Sequence, residues 1–351
     1  MKTILDLAKA GECLPAEALE DILYRSNSDT HRELFQAASE VKAAHFGNGI
    51  YVRGLIEFTN YCKNNCFYCG IRASNKTVER YRLSKEQILD CCFLGYQNGL
   101  RSFVLQGGED PYYSADSIAD LVFSVKSLYP DCAVTLSVGE HSFETYRLWK
   151  NSGADRYLLR HETADPIHYG RLHPSVLTLK KRMGCLYDLK SLDYQVGCGF
   201  MVGSPYQEPK HLAKELLFLK EFQPHMVGIG PFIPHKDTPF REKTGGSLTT
   251  TLVMLALIRL LLPDVLLPAT TALGTIHPHG RELGIGAGAN VCMPNLSPEN
   301  VRAKYSLYNN KLHSGAESAA EISELARRMN AIGCSIVLGR GDHPSMNLRK
   351  E

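Results

Sequence analysis

Cys62, Cys66 and Cys69 stand close together in Ile56-Glu-Phe-Thr-Asn-Tyr-Cys62-Lys-Asn-Asn-Cys66-Phe-Tyr-Cys69-Gly. Their C-x3-C-x2-C spacing puts three thiolates in one short loop. Three thiolates can ligate three irons of a cubane cluster and leave the fourth iron open to another ligand. A closed structural zinc site wants four ligands, and no second C-x2-C pair exists in the chain. On the triplet alone, zinc completed by a distant histidine stays open. Three unliganded thiols crowded in a polar loop would invite oxidation.

Other polar groups recur where short apolar runs end. Gln106-Gly107-Gly108-Glu109-Asp110-Pro111 combines glycines, which permit close backbone approach, with an acid; alone it also reads as a turn. Arg160-His161-Glu162-Thr163 follows an apolar run, and its plain reading is a surface salt bridge. Arg182 can pair bidentately with a carboxylate, although Lys180-Lys181-Arg182 also reads as a solvated helix face. Gly199-Phe-Met201-Val-Gly203 reads as a core strand, and Thr270-Thr271 as helix caps or ligand-binding hydroxyls. Gly284-x-Gly286-x-Gly288 lacks the context of a dinucleotide fingerprint. His235, His277 and His279 read as surface loop residues.

The elements that must position these groups follow a regular beat from Tyr51 onward. A short apolar strand, a turn-rich loop and an amphipathic helix alternate. Strands are expected at 52–58, 102–106, 133–137, 156–160, 195–202, 226–230, 266–269 and 290–293, and helices at 85–98, 114–128, 142–152, 177–192 and 209–222. Eight such units over about 250 residues predict an α/β fold, a (β/α)8 TIM barrel, with its active site at the C-terminal strand ends. An open doubly wound sheet would give the same beat. Two helices before residue 50 predict an N-terminal helical cap. A C-terminal helical extension is expected at 316–329, then a polar, frayed tail over 339–351. The domain division is therefore 1–50, 51–308 and 309–351.

Cys62-x3-Cys66-x2-Cys69, with Tyr68 in the aromatic position, resembles the radical S-adenosylmethionine (SAM) superfamily. Leu105–Tyr113, Tyr157–Ala164, Met226–His235 and Pro268–Thr275 together resemble its HydE family of FeFe-hydrogenase maturases. The resemblance runs from about Val52 to Tyr308, in order. It implies one 4Fe–4S cluster on Cys62, Cys66 and Cys69. It also implies SAM held by Tyr68, Gly107, Gly108, Glu109, Ser137, Glu162, Arg182 and Met201. It gives Gln106, Thr135, Arg160, Thr270 and Thr271 to the substrate end of the barrel. The implied reaction cleaves SAM reductively to a 5′-deoxyadenosyl radical, in assembly of the di-iron subcluster of the hydrogenase H-cluster on a cysteine-bound iron carbonyl–cyanide precursor. Implied partners are a small organometallic or cysteine-derived substrate, the sister maturases HydG and HydF, and a donor such as ferredoxin or flavodoxin. Methylornithine synthase and biotin synthase are similar, and the former shares the Gly-Glu-Asp-Pro-Tyr-Tyr stretch. No pattern for biotin synthase's second, sulfur-donating cluster is found. A non-catalytic iron–sulfur scaffold is the alternative outside enzymes. Some family members carry a second cluster on C-terminal cysteines. Here only Cys334 lies beyond Cys292, so a single cluster is expected.

Composition narrows the remaining classes. A net charge of +2 over 351 residues gives no electrostatic case for nucleic acid. The most apolar stretch, 252–262, is interrupted by Arg259 and ended by Pro263-Asp264. It is too short to cross a bilayer and reads as a buried helix. No signal-peptide core opens the chain, so a cytoplasmic location is expected. The other eight of the eleven cysteines are scattered, mostly in apolar segments, and read as core residues.

Overall fold

The computed structural model describes residues 4–312 and 319–346. Its helices start where short polar side chains can satisfy the first free N–H groups. Ser84 accepts from Gln87 N in a capping box before Lys85–Gln97. Ser114, Ser142, Thr178 and Ser247 do the same for Ala115–Leu128, Phe143–Asn151, Leu179–Ser191 and Leu248–Leu261. Between these helices lie short parallel strands whose residues are almost all buried, as a sheet covered on both faces requires.

In chain order the strands are β1 (Gly49–Val52), β2 (Gly54–Thr59), β3 (Ser102–Gly107), β4 (Ala133–Ser137), β5 (Arg156–Leu158), β6 (Gln195–Cys198), β7 (Met201–Val202), β8 (Met226–Val227), β9 (Gly230–Pro231), β10 (Val291–Cys292) and β11 (Ser335–Val337). The run β2-β3-β4-β5-β6-β8 is one parallel sheet. Single bridges from Met226 to Leu266, Pro268 to Val291 and Asn295 to Leu55 carry it round to β2. The ring closes, and the expected (β/α)8 barrel is the fold.

Three expected strands are broken, for local reasons. Residues 52–58 divide at Arg53 into β1 and β2, because β1 turns to pair with β10 and β11. Residues 195–202 divide at Gly199, whose φ is 155° and whose Cβ, if present, would lie 2.0 Å from the Gly228 carbonyl oxygen. There β7 leaves the main ladder and pairs with β9, which breaks the expected 226–230 strand too. The expected strand at 266–269 is reduced to the isolated bridges.

Outside the ring, Ser28–Phe46 packs on Leu248–Leu261. That second layer explains why the latter helix is buried along nearly its whole length. No helix among the described residues is long and apolar enough to cross a membrane.

The C-terminal segment departs most from expectation. Part of the predicted frayed tail is a plug beneath the barrel; residues 347–351 lie outside the described residues. β11 lies beside β1, and the following residues turn under the ring. Arg53 and Arg156 are buried there, 1% and 3% exposed. Arg156 donates to Asp342 at 2.6 Å and to Ser102 Oγ at 2.8 Å, and Gln195 also donates to Asp342. Arg340 bridges Asp155 and Asp342, both at 2.8 Å. These partners hold the Asp342 carboxyl well below the usual range against the effect of its burial. Replacing Asp342 by asparagine leaves buried guanidinium charge without its carboxylate. The expected loss is about 2–3 kcal/mol, at or just under the foot of the range for a broken buried pair, because Asp342 keeps some solvent contact. A lowered denaturation midpoint with unchanged slope would show it.

Candidate active site

The C-terminal ends of the strands surround a cavity of about 340 Å³. Fifteen of the sixteen predicted site residues line it: the three cysteines, Tyr68, Gln106, Gly107, Gly108, Glu109, Ser137, Arg160, Glu162, Arg182, Met201, Thr270 and Thr271. Thr135 does not. It points inward from β4 like Ser137 but two residues lower, and lines a small void with Arg53 and Arg156 at the barrel base. The two-residue period of a strand keeps both on one face and separates them in depth.

The cysteine loop follows β2. Its two ends are held by Arg80, which donates to the Asn60 and Ile71 carbonyls and, through its other terminal nitrogen, to Arg72 and Asn75. Gly108 lets β3's end press on this loop, since a Cβ there would lie 2.1 Å from the Tyr61 carbonyl oxygen. Burial raises all three thiol pKa values. With the neighbouring Cys62 adding to burial, Cys66 is pushed up to about 12. The thiols are thus neutral without metal, and a cationic cluster must displace their protons on binding. Among the described residues no three His, Cys, Asp or Glu side chains converge on a point fit for one ion. Three thiols of one loop that face one cavity can each ligate a separate iron of a cubane.

Around the loop, charge is arranged in two groups. Arg182, expected either on a solvated face or as a ligand, is buried; its Nε is 2.7 Å from Glu140 and Nη2 is 3.9 Å from Glu109. Burial alone would lower its pKa, but Glu140, Tyr169 and Glu109 overcome that, and it stays charged. Glu162 stands at φ 65°, 3.1 Å from Arg160. Its aim is set from behind. Buried Glu215 accepts from Ala164 N at 2.6 Å and bonds His161 Nε2 at 2.8 Å, tying down residues on both sides of Glu162. Farther round, Arg160 Nε and Thr270 Oγ1 are buried and without hydrogen-bond partners.

His173 locks Tyr68. Its Nδ1–H donates to the Tyr169 carbonyl at 3.0 Å, which leaves Nε2 to accept from Tyr68 OH at 3.1 Å. Burial drives the His173 pKa down to about 3. A histidine held neutral contributes stability that is fully present above its unfolded pKa of about 6.5 and is lost as pH falls toward the folded value. At roughly 1.4 kcal/mol per unit, this site alone costs about 2 kcal/mol between pH 6.5 and 5. His173→Gln is expected to flatten that part of the stability–pH curve, measured by urea titration.

Several residues around the site were not anticipated. Glu140, in the loop after β4, pairs with Arg182, and an acid past a strand end was the available signal. Glu57, Tyr305, Tyr308 and Lys311 line the cavity. His235, expected at the surface, is buried against Gly70 beside the cysteine loop. His277 and His279 are partly or fully exposed, as expected. Of the eight scattered cysteines all but half-buried Cys13 are buried.

The Radical SAM superfamily model matches residues 56–219. The HydE subunit of the [FeFe] hydrogenase maturase from Thermotoga maritima is 48% identical over 296 residues, 84% of each chain. The chain belongs to the radical SAM superfamily. It is a radical SAM enzyme, and the family implies a 4Fe–4S cluster and SAM. The 3-methylornithine synthase of Methanosarcina acetivorans is 28% identical over 322 residues, covering 91% of this chain and 89% of that one. The crystal structure of methylornithine synthase (PylB) superposes with a TM-score of 0.82 at 26% identity, covering 95% and 97%. In this radical SAM chain the matched region begins within β2 and contains the cysteine loop, Glu109, Glu162 and Arg182.

Proposed function

We propose that this enzyme cleaves SAM reductively and acts in building the di-iron subcluster of an FeFe-hydrogenase on a cysteine-bound iron carbonyl–cyanide precursor. The observation that carries the reading is the sharing of one cavity by the cysteine triplet, by Glu109 and Arg182, and by the unsatisfied Arg160 and Thr270 donors. When bound, a 4Fe–4S cluster on Cys62, Cys66 and Cys69 supplies the electron that splits the sulfonium C–S bond, giving methionine and a 5′-deoxyadenosyl radical. Glu109 and the backbone of Gly107 and Gly108 hold the methionyl ammonium, and Arg182 neutralises its carboxylate. Glu162 accepts from the ribose hydroxyls. Tyr68, Ser137 and Met201 close the nucleoside side. Across the cavity, Arg160, Thr270 and Thr271 hold a substrate carboxylate, with Gln106 beside them. Thr135 lies too deep to share that task.

The 48% identity to HydE across most of both chains favours hydrogenase maturation, with the HydG and HydF context that implies. The superposition on methylornithine synthase favours a second reading, a radical enzyme acting on a free amino acid. Two measurements separate the readings. Reconstituted, dithionite-reduced protein should release methionine and 5′-deoxyadenosine from SAM; no cleavage would leave only a scaffold. A deletion strain should lose FeFe-hydrogenase activity, and normal hydrogenase there would overturn the maturase reading.

A further inference from the structure

The proposed reaction needs one electron from outside the chain, and a docking place for its donor presupposes that reading. Phe67, between Cys66 and Tyr68, connects the cysteine loop to the surface in two ways. Its N–H donates to the Leu172 carbonyl at 3.0 Å, next to exposed Arg171. Its ring meets Phe240 edge-on at 6.0 Å, and Phe240 meets Tyr206 at 6.2 Å. Tyr206 is 46% exposed although aromatic, and its backbone is left-handed, φ 67°. A bulky residue held there is strained, and such strain marks places where a side chain is presented for a purpose. Two cations lie over the presented ring, Arg171 at 5.3 Å and Lys243 at 4.8 Å. The acids on this rim are engaged with other bases: Glu208 with Lys210 and Glu242 with Arg241. Among the described residues neither Arg171 nor Lys243 is in an ion pair.

We propose that Tyr206, Arg171 and Lys243 form the docking patch for an acidic one-electron carrier protein. Exposed aromatic and arginine side chains are the residues that dominate protein interfaces. Two cations in no ion pair, with only Glu208 near enough to act on Arg171, would draw an acidic partner to this rim although the whole chain carries a net charge of only +2. From here the path inward is short, through Phe240 and Phe67 or through the Leu172 carbonyl. The carrier loses one electron and the cluster gains it, with no other reactant.

The test uses the full-length, cluster-loaded protein and two variants, Arg171→Glu with Lys243→Glu, and Tyr206→Ala. Cluster reduction by a photoreduced acidic ferredoxin is followed by its optical bleaching over a range of ionic strength. SAM cleavage driven by dithionite, a small ion that needs no docking, is measured alongside. The charge reversal should slow ferredoxin-driven reduction at least about tenfold at low salt and flatten its salt dependence. Tyr206→Ala should slow it while changing no charge. Dithionite-driven cleavage should be unchanged in both. Ferredoxin rates within about twofold of native would overturn the proposal, as would equal slowing with both reductants. Absence of dithionite-driven cleavage in the native protein would instead sink the reaction assigned above.

Discussion

Cys66→Ala protein is expected to lose most of its iron and, with it, cleavage of SAM. Cys66 is half-buried in the loop that Arg80 clasps, and no other cysteine lines the cavity besides Cys62 and Cys69. Two thiolates cannot hold a cubane at three corners, so iron after anaerobic reconstitution should fall from about four per chain toward zero. Cys92→Ala is the control. Cys92 is buried in the core from within Lys85–Gln97, away from the cavity lining, and its loss removes one small apolar group. That costs of order 1 kcal/mol of stability and leaves iron content intact. Full iron and full cleavage in the Cys66 variant would refute the ligand assignment. Loss in both variants would point to general unfolding.

The second large effect is on stability. Glu57 is 1% exposed and accepts from Lys311 at 3.0 Å and from Asn295 at 2.7 Å. Burial pushes its pKa up, and Lys311 and Asn295 only partly offset that. Lys311→Met therefore strands a buried carboxylate, a loss of about 3–5 kcal/mol by the usual cost of breaking such a pair. Glu57→Gln with Lys311→Met should recover much of it, because neither charge is then left uncompensated. Denaturant titration of the apo proteins checks both. A single variant within about 1 kcal/mol of native would show that the pair carries no such strain.

How legible was the site in the sequence? The triplet, the Gly-Gly-Glu turn and the Arg160–Glu162 strand end could be read because catalytic groups of a barrel follow apolar strands in a fixed beat. Depth within the barrel could not. Thr135 and Ser137 share one face of β4, and periodicity does not say which layer each occupies. Arg53 and Arg156 look like exposed strand residues, since arginine is seldom fully buried. They are inside only because Asp342 reaches them from the other end of the chain. Glu57 and Lys311 failed for the same reason: they are two charges far apart along the chain, and only the fold joins them. The breaks in 195–202 and 226–230 were missed because Gly199 reads equally as a turn or as a strand residue until its neighbour's backbone is placed.

The basal plug also bears on how this protein is made. The Gly341 carbonyl that Arg53 binds lies 288 positions downstream. As the ribosome works, β2 through β6 can zip together in order, each with the strand before it. The base stays open and its two arginines wet until Arg340, Gly341 and Asp342 have been made. A chain stalled or clipped before Arg340 would thus present chaperones and proteases with an almost finished barrel whose floor is missing.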